Sequence, residues 1–151
     1  MFHSIVVGTD GSATATEAVR RAYELAGALS ADLHVVSAYR PPAVVLAATA
    51  EPGLTPAAVV QWAAAARDDV RRLLDELAAD LAGPVPVTTH TVAGHPGAAL
   101  VSVAEAVHAD LIVVGNRGMR GARRVLGSVP NHVSHHAPCD VLVVDTVGAM
   151  V

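Results

Sequence analysis

The chain has 151 residues, a formal net charge of −4, and 52% hydrophobic residues with aromatics at only 3%. That length suits a single domain spanning residues 1–151, and a negative balance argues against general nucleic-acid affinity, which needs a basic face. No apolar run approaches the roughly 20 residues of a membrane span, and all ten basic residues are Arg, which removes Walker A, Schiff-base and kinase-type lysine chemistry.

The N-terminus shows no basic segment followed by an apolar one, so no secretion signal is read and a cytoplasmic protein is expected. The lone Cys139 excludes an internal disulfide and fits a reducing compartment. Ser4 to Val7 reads as a short apolar strand ending in Gly8-Thr9-Asp10-Gly11-Ser12. Thr14 and Glu17 have capping-box spacing, which predicts a helix from near Ser12 or Thr14 to Ser30. A second strand, Leu33 to Ala38, is stopped by Tyr39-Arg40-Pro41-Pro42, since Pro cannot continue a ladder.

The connection from Pro41 to Pro56 is long and rich in Pro and Ala, with an apolar run from Ala43 to Ala48 that suggests cover. Pro56 opens a predicted helix to about Leu81, with Trp62, Val70, Leu73, Leu74, Leu77 and Leu81 as its apolar stripe. Val85 to Val92 reads as the third strand. Gly94-His95-Pro96-Gly97 is a turn leading into a helix from Ala98 to Val107. Leu111 to Val114 has four consecutive apolar residues, the mark of a strand buried on both faces. Gly115-Asn116-Arg117-Gly118 follows as an open glycine loop. Ser128 then caps a helix to His136, with Pro130 in its first turn, and Val141 to Val144 is the fifth strand.

Strands alternating with helices imply an α/β fold, a doubly wound five-stranded parallel sheet with helices on both faces. In flavodoxin-like order 3-2-1-4-5 the strand order reverses between the first and fourth strands, where ligands bind beyond the carboxyl ends. Asp10 and Gly115 stand at those ends. A strand, a glycine loop and a helix start gather several N–H groups around one point, which is a cradle for phosphate.

The segment Gly115 to Val144, GNRGMRGARRVLGSVPNHVSHHAPCDVLVV, closely resembles the C-terminal half of universal stress proteins. ATP-binding members carry glycine, two residues, glycine, nine residues, then glycine and Ser or Thr. Gly115, Gly118, Gly127 and Ser128 fit that pattern, with eight residues (Met119 to Leu126) where the family has nine. The opening Ile5-Val6-Val7-Gly8-Thr9-Asp10-Gly11-Ser12 resembles the family's first strand and its aspartate. The likeness covers nearly the whole chain and is weakest between Pro41 and Thr55.

The resemblance implies that Gly115, Gly118, Gly127 and Ser128 hold phosphates and ribose, with Val129 lining the same pocket. It places Asp10 at the nucleoside end and Gly8 and Ala38 beside adenine. It implies a homodimer through the last strand, Val141 to Val144, and a stress-response or signalling role with an unknown protein partner. Of Arg117 and Arg120, in or beside the glycine loop, at least one reads as facing the phosphates, and spacing does not say which; Arg123 and Arg124 read as a solvated face. Without Lys, a divalent cation such as Mg²⁺ would help neutralise ATP.

His132, His135 and His136 have no nearby Cys or carboxylate in a zinc pattern and read as a solvated helix end; His95 reads as a turn residue. Cys139 reads as a buried structural thiol. No nucleophile elbow or carboxylate pair appears, so no conventional catalytic site is expected. A slow ATPase or phosphotransferase in the same pocket is the alternative. So is a binder of AMP or a cyclic nucleotide, because a shorter segment before Ser128 would disturb the triphosphate end first. A flavin module would set aromatics against the ring, and Phe, Trp and Tyr are scarce here.

Overall fold

The computed structural model describes residues 1–40, 55–116 and 126–146. The expected cover at Ala43 to Ala48 lies outside the described residues, as do Arg117, Gly118, Arg120, Arg123 and Arg124. Two strands with no polar side chain at their centre set the architecture. Ile5, Val6 and Val7 in β1 (Ser4–Gly8) and Ile112 and Val113 in β4 (Leu111–Gly115) are all fully buried. A strand presents alternate residues to opposite faces, so an unbroken apolar run needs cover on both.

β1 and β4 pair in parallel, with Ile5 opposite Leu111 and Val7 opposite Val113. β2 (Asp32–Tyr39) and β3 (Val87–Ala93) extend the sheet beyond β1, and β5 (Asp140–Val144) extends it beyond β4. The order is β3-β2-β1-β4-β5, all pairs parallel, as the alternation of elements predicts. On one face α1 (Ala13–Leu29) and α2 (Pro56–Asp80) bury Ala18, Val19, Ala22, Ala26 and Leu74 over Ile5, Val7 and Val113. On the other, α3 (Pro96–Ala106) and α4 (Ser128–His136) bury Leu100, Val103 and Val133 over Val6, Val36 and Ile112. Burying each such side chain is worth about 1.5–3 kcal/mol. The N-terminus is pinned by Asp110, whose carboxylate accepts the N–H groups of His3 (2.7 Å) and Ser4 (3.0 Å).

Several boundaries differ from expectation for identifiable reasons. α1 is capped by Ser12, whose hydroxyl accepts the Ala15 N–H at 3.2 Å. Glu17 forms no capping box with Thr14; Arg20 and Arg21 take its carboxylate and hold its pKa well below the usual carboxylate range. β3 begins at Val87 rather than Val85 because Pro86 has no N–H to give a ladder; its carbonyl accepts from Leu33 at 2.9 Å. Trp62, placed in the apolar stripe by its spacing, is 53% exposed. At 1.5 Å per residue α2 is about 37 Å long, well beyond the reach of a strand such as β3 at about 23 Å, so its first turns have no sheet beneath them. Cys139 is half-buried against the α3–α4 core, and burial pushes its thiol pKa up.

One polar pair lies within the sheet. His34 Nδ1 on β2 and His90 Nε2 on β3 are 3.0 Å apart, one donating to the other. Burial lowers both pKa values, and for His90 the neighbouring His34 adds to the effect. The unfolded chain, with imidazoles near about 6.5, therefore binds more protons than the folded one in mild acid. The stability this neutral pair provides is present above that pH and is lost as pH falls below it. Urea midpoints measured from pH 8 to 5 should decline below pH 6.5 in the wild type and more shallowly in a His34→Val/His90→Val variant. Parallel curves would show that the pair does not drive the acid sensitivity.

Candidate functional site

The chain leaves β1 toward α1 on one face, and the segment after β4 returns as α4 on the other. Between those two strand ends lies a cleft of about 420 Å³. Val36, Ala38, Leu100 and Val114 give it an apolar floor; Thr9, Asp10 and Ser12 form one lip and Gly127 and Ser128 the other. Of the residues read from the sequence, Gly8, Asp10, Ala38, Gly115, Gly127, Ser128 and Val129 all line this one cleft. Arg117, Gly118 and Arg120 lie outside the described residues.

The first lip is held from below. Thr9 is buried, donates its N–H to Val36 O at 2.9 Å, and accepts the Gly11 N–H on its hydroxyl at 3.1 Å. Asp10 is exposed on the cleft wall, and its Oδ1 accepts the Ser12 N–H at 2.9 Å. It is thus both a turn residue and a carboxylate of fixed aim. Gly8 and Gly115 sit in close quarters: a Cβ at Gly8 would lie 3.1 Å from Leu100 Cδ1, and one at Gly115 3.1 Å from Thr146 Cγ2. A side chain at either position needs Leu100 or Thr146 in the cleft wall to give by a few tenths of an ångström.

The second lip is a bare helix end. Ser12, Thr55 and His95 cap α1, α2 and α3 with their side chains, but Gly127, which precedes α4, makes no side-chain cap bond. Ser128 is the first helical residue, one position past the capping place expected for it. Pro130 carries no N–H, and Ser128 and Val129, both in the cleft lining, hold the first amides at the positive end of the helix dipole. His135 and His136 stand in the last turn, where imidazolium suits the opposite end of the dipole.

Sequence reading missed a polar knot behind the glycine loop. Asn116 Oδ1 accepts from the backbone N–H (2.9 Å) and hydroxyl (3.3 Å) of the fully buried Thr146, while its Nδ2 donates to Asp145 Oδ1 at 3.0 Å. The Asn116 N–H donates to Val144 O at 2.9 Å. These bonds tie the start of the loop to the residues after β5. The available signal was polar residues directly following two apolar strands that the predicted order makes neighbours.

A second, shallow groove of about 390 Å³ is lined by Arg67, Arg71, Asp75, Thr89 and Thr91. Asp75 lies within it, and α2 carries three arginines against five carboxylates, so its field does not favour an anion. Among the described residues no three His, Cys, Asp or Glu side chains converge as a metal site.

Comparison with known proteins agrees with this architecture. The model of the Universal stress protein family matches residues 1–145. Universal stress protein Rv1636 of Mycobacterium tuberculosis is 40% identical over 146 residues, covering 96% of this chain and 97% of that one. A universal stress protein solved in complex with cAMP is 35% identical with a TM-score of 0.65, over 96% of this chain and 98% of the other. UspA from Lactobacillus plantarum shares the fold, with a TM-score of 0.72 at 24% identity over 94% and 97% of the two chains.

The knot should matter to stability out of proportion to its size. Asn116→Ala leaves the buried Thr146 groups without an acceptor, at an expected cost of about 1–3 kcal/mol by chemical denaturation. A change inside about 0.5 kcal/mol, the range of an ordinary surface substitution, would contradict the role given to Asn116.

Proposed function

The chain belongs to the universal stress protein family, and from that premise we propose that it is a nucleotide-dependent stress-response or signalling module binding an adenine nucleotide, ATP first, in the cleft. The observation that carries this reading is the N-terminus of α4, without a side-chain cap among the described residues, set at the strand-order reversal in the lining of a cleft of ligand size. Adenine would enter between Gly8 and Ala38 over the Val36 and Leu100 side chains. Asp10 would accept ribose hydroxyls. One phosphate would sit on the Ser128 and Val129 N–H groups beside Gly115 and Gly127, and Arg117, Gly118 and Arg120 are the sequence's candidates for the remaining ones.

Mg²⁺ would be held by the phosphates, because no described cluster of ligating side chains converges on the cleft; bound, it would neutralise their charge. Among the described residues no histidine or second carboxylate accompanies Asp10 in the cleft lining. The reading therefore contains no catalytic step, and output comes from a nucleotide-biased surface meeting a protein partner. A cyclic nucleotide or AMP is the second reading. The related universal stress protein solved in complex with cAMP supports it. The outer strand β5 would pair with a second copy, covering Leu142, which is 39% exposed. In this reading the protein works in the cytoplasm, and no described helix is long and apolar enough to cross a membrane.

Calorimetric titration with ATP and with cAMP checks the assignment. Asp10→Ala, losing a charge-assisted hydrogen bond, should weaken binding about tenfold or more. Gly115→Val, which forces Thr146 aside, should abolish it. Wild-type affinity in both variants would place the ligand elsewhere.

A further inference from the structure

Three imidazoles meet at the seam between α3 and α4, with His95 and His136 exposed. His132, half-buried on α4, stacks on His136 one turn later with ring centroids 4.3 Å apart and planes 17° apart. On its other side stands His95, the cap of α3, with centroids 5.5 Å apart. The helices meet closely here: a Cβ on Gly97 would lie 2.9 Å from His132 Cβ. This seam is also a wall of the cleft, since Pro96 and Leu100 of α3 and Val129 and Pro130 of α4 line it.

The hydrogen bonds define the protonation the seam requires. His95 Nδ1 accepts the Gly97 N–H at 3.1 Å, so that nitrogen must carry no proton. His136 Nδ1 lies 2.9 Å from the His132 carbonyl and donates to it. A second proton on His95 would remove the cap and set a positive charge at the wrong end of a helix dipole. A proton on His132 would place a charge between two other imidazoles.

Burial lowers the His132 pKa first, with His136 and His95 adding to it. The other titratable groups on the packed elements are Glu105 on α3, His135 on α4, Asp32, His34, Tyr39 and His90 on β2 and β3, and Asp140 on β5. None of these is among the causes acting on His132. In its neutral form the cap-accepting His95 keeps its proton on Nε2, so the trio has no third lone pair for a metal. The cation it can register is the proton.

We propose that the His95–His132–His136 seam is an acid-sensitive latch, which protonation opens by parting the N-terminus of α3 from α4 and loosening the cleft wall, so that ligand is released as pH falls. The latch rests on the cleft being a ligand site; the opening of the seam does not. It is closed above about pH 6.5, the ordinary imidazole value, and opens below it.

Amide hydrogen exchange of Gly97 and Ala98, corrected for intrinsic rates, and ATP affinity are measured at pH 7.5 and 5.5 on the full chain. Wild-type protection should fall about tenfold and the Kd should rise several-fold, as a charge forced onto the stacked His132 and the loss of the His95 cap require. His132→Gln keeps an uncharged polar side chain and should bring the Kd change to near the background set by the titration of ATP itself, while the loss of protection shrinks to what His95 protonation alone causes at Gly97. His136→Gln serves the same purpose if the first variant is unstable. Equal protection at both pH values, unchanged affinity while the seam opens, or a full pH response in the Gln variant would each overturn the latch. If the seam opens in acid but ATP binds at neither pH, the nucleotide reading fails and the acid-driven opening remains.

Discussion

The pairing of β1 with β4 governs this molecule. Both strands are apolar along their centres, and neither tolerates water on either face, so helices must cover the sheet above and below. The strands are neighbours in the sheet but far apart in the chain. Their continuations go to opposite faces, which opens a crevice at their carboxyl ends that no short connection fills. The cleft is a consequence of the topology, and the residues on its rim are whatever follows Gly8 and Gly115.

What those residues do follows from the same arrangement. Thr9 and Asn116 stand directly after the two strands, and each fastens its loop to the sheet. One uses a main-chain bond to β2, the other a side-chain knot to Thr146. Small residues at Gly8, Ala38 and Gly115 keep the walls apart. Three of the four described helices satisfy their first amides with a side chain. The fourth, which starts at the cleft, has no side-chain cap among the described residues, and the first amides of a helix suit an anion. The described part of each loop is thus held to the sheet beside the start of α4.

Much of this was legible in the sequence because it depends on local patterns and one topological rule. The run Leu111 to Val114 identifies a buried strand, while the glycine loop read after it lies mostly outside the described residues. Strand order then brings Asp10 and Gly115 together although they are far apart in the chain. Illegible features were those decided by contacts. His95 before Pro96 looks like a turn residue, and only the position of the Gly97 amide makes it a cap. Ser128 looks like a cap, yet the helix starts on it. Trp62 has core spacing on a helix that outruns its sheet. The bonds of Asn116 to Thr146 span 30 residues and leave no periodic trace.

The account is tested most directly by native mass spectrometry of the freshly purified protein, with extraction and identification of any carried nucleotide. It predicts a dimer mass with about one adenine nucleotide per chain, the stoichiometry of a single preformed cleft. A monomer that arrives empty, and stays empty with ATP, AMP or cAMP added, would contradict it and leave the fold serving interaction alone.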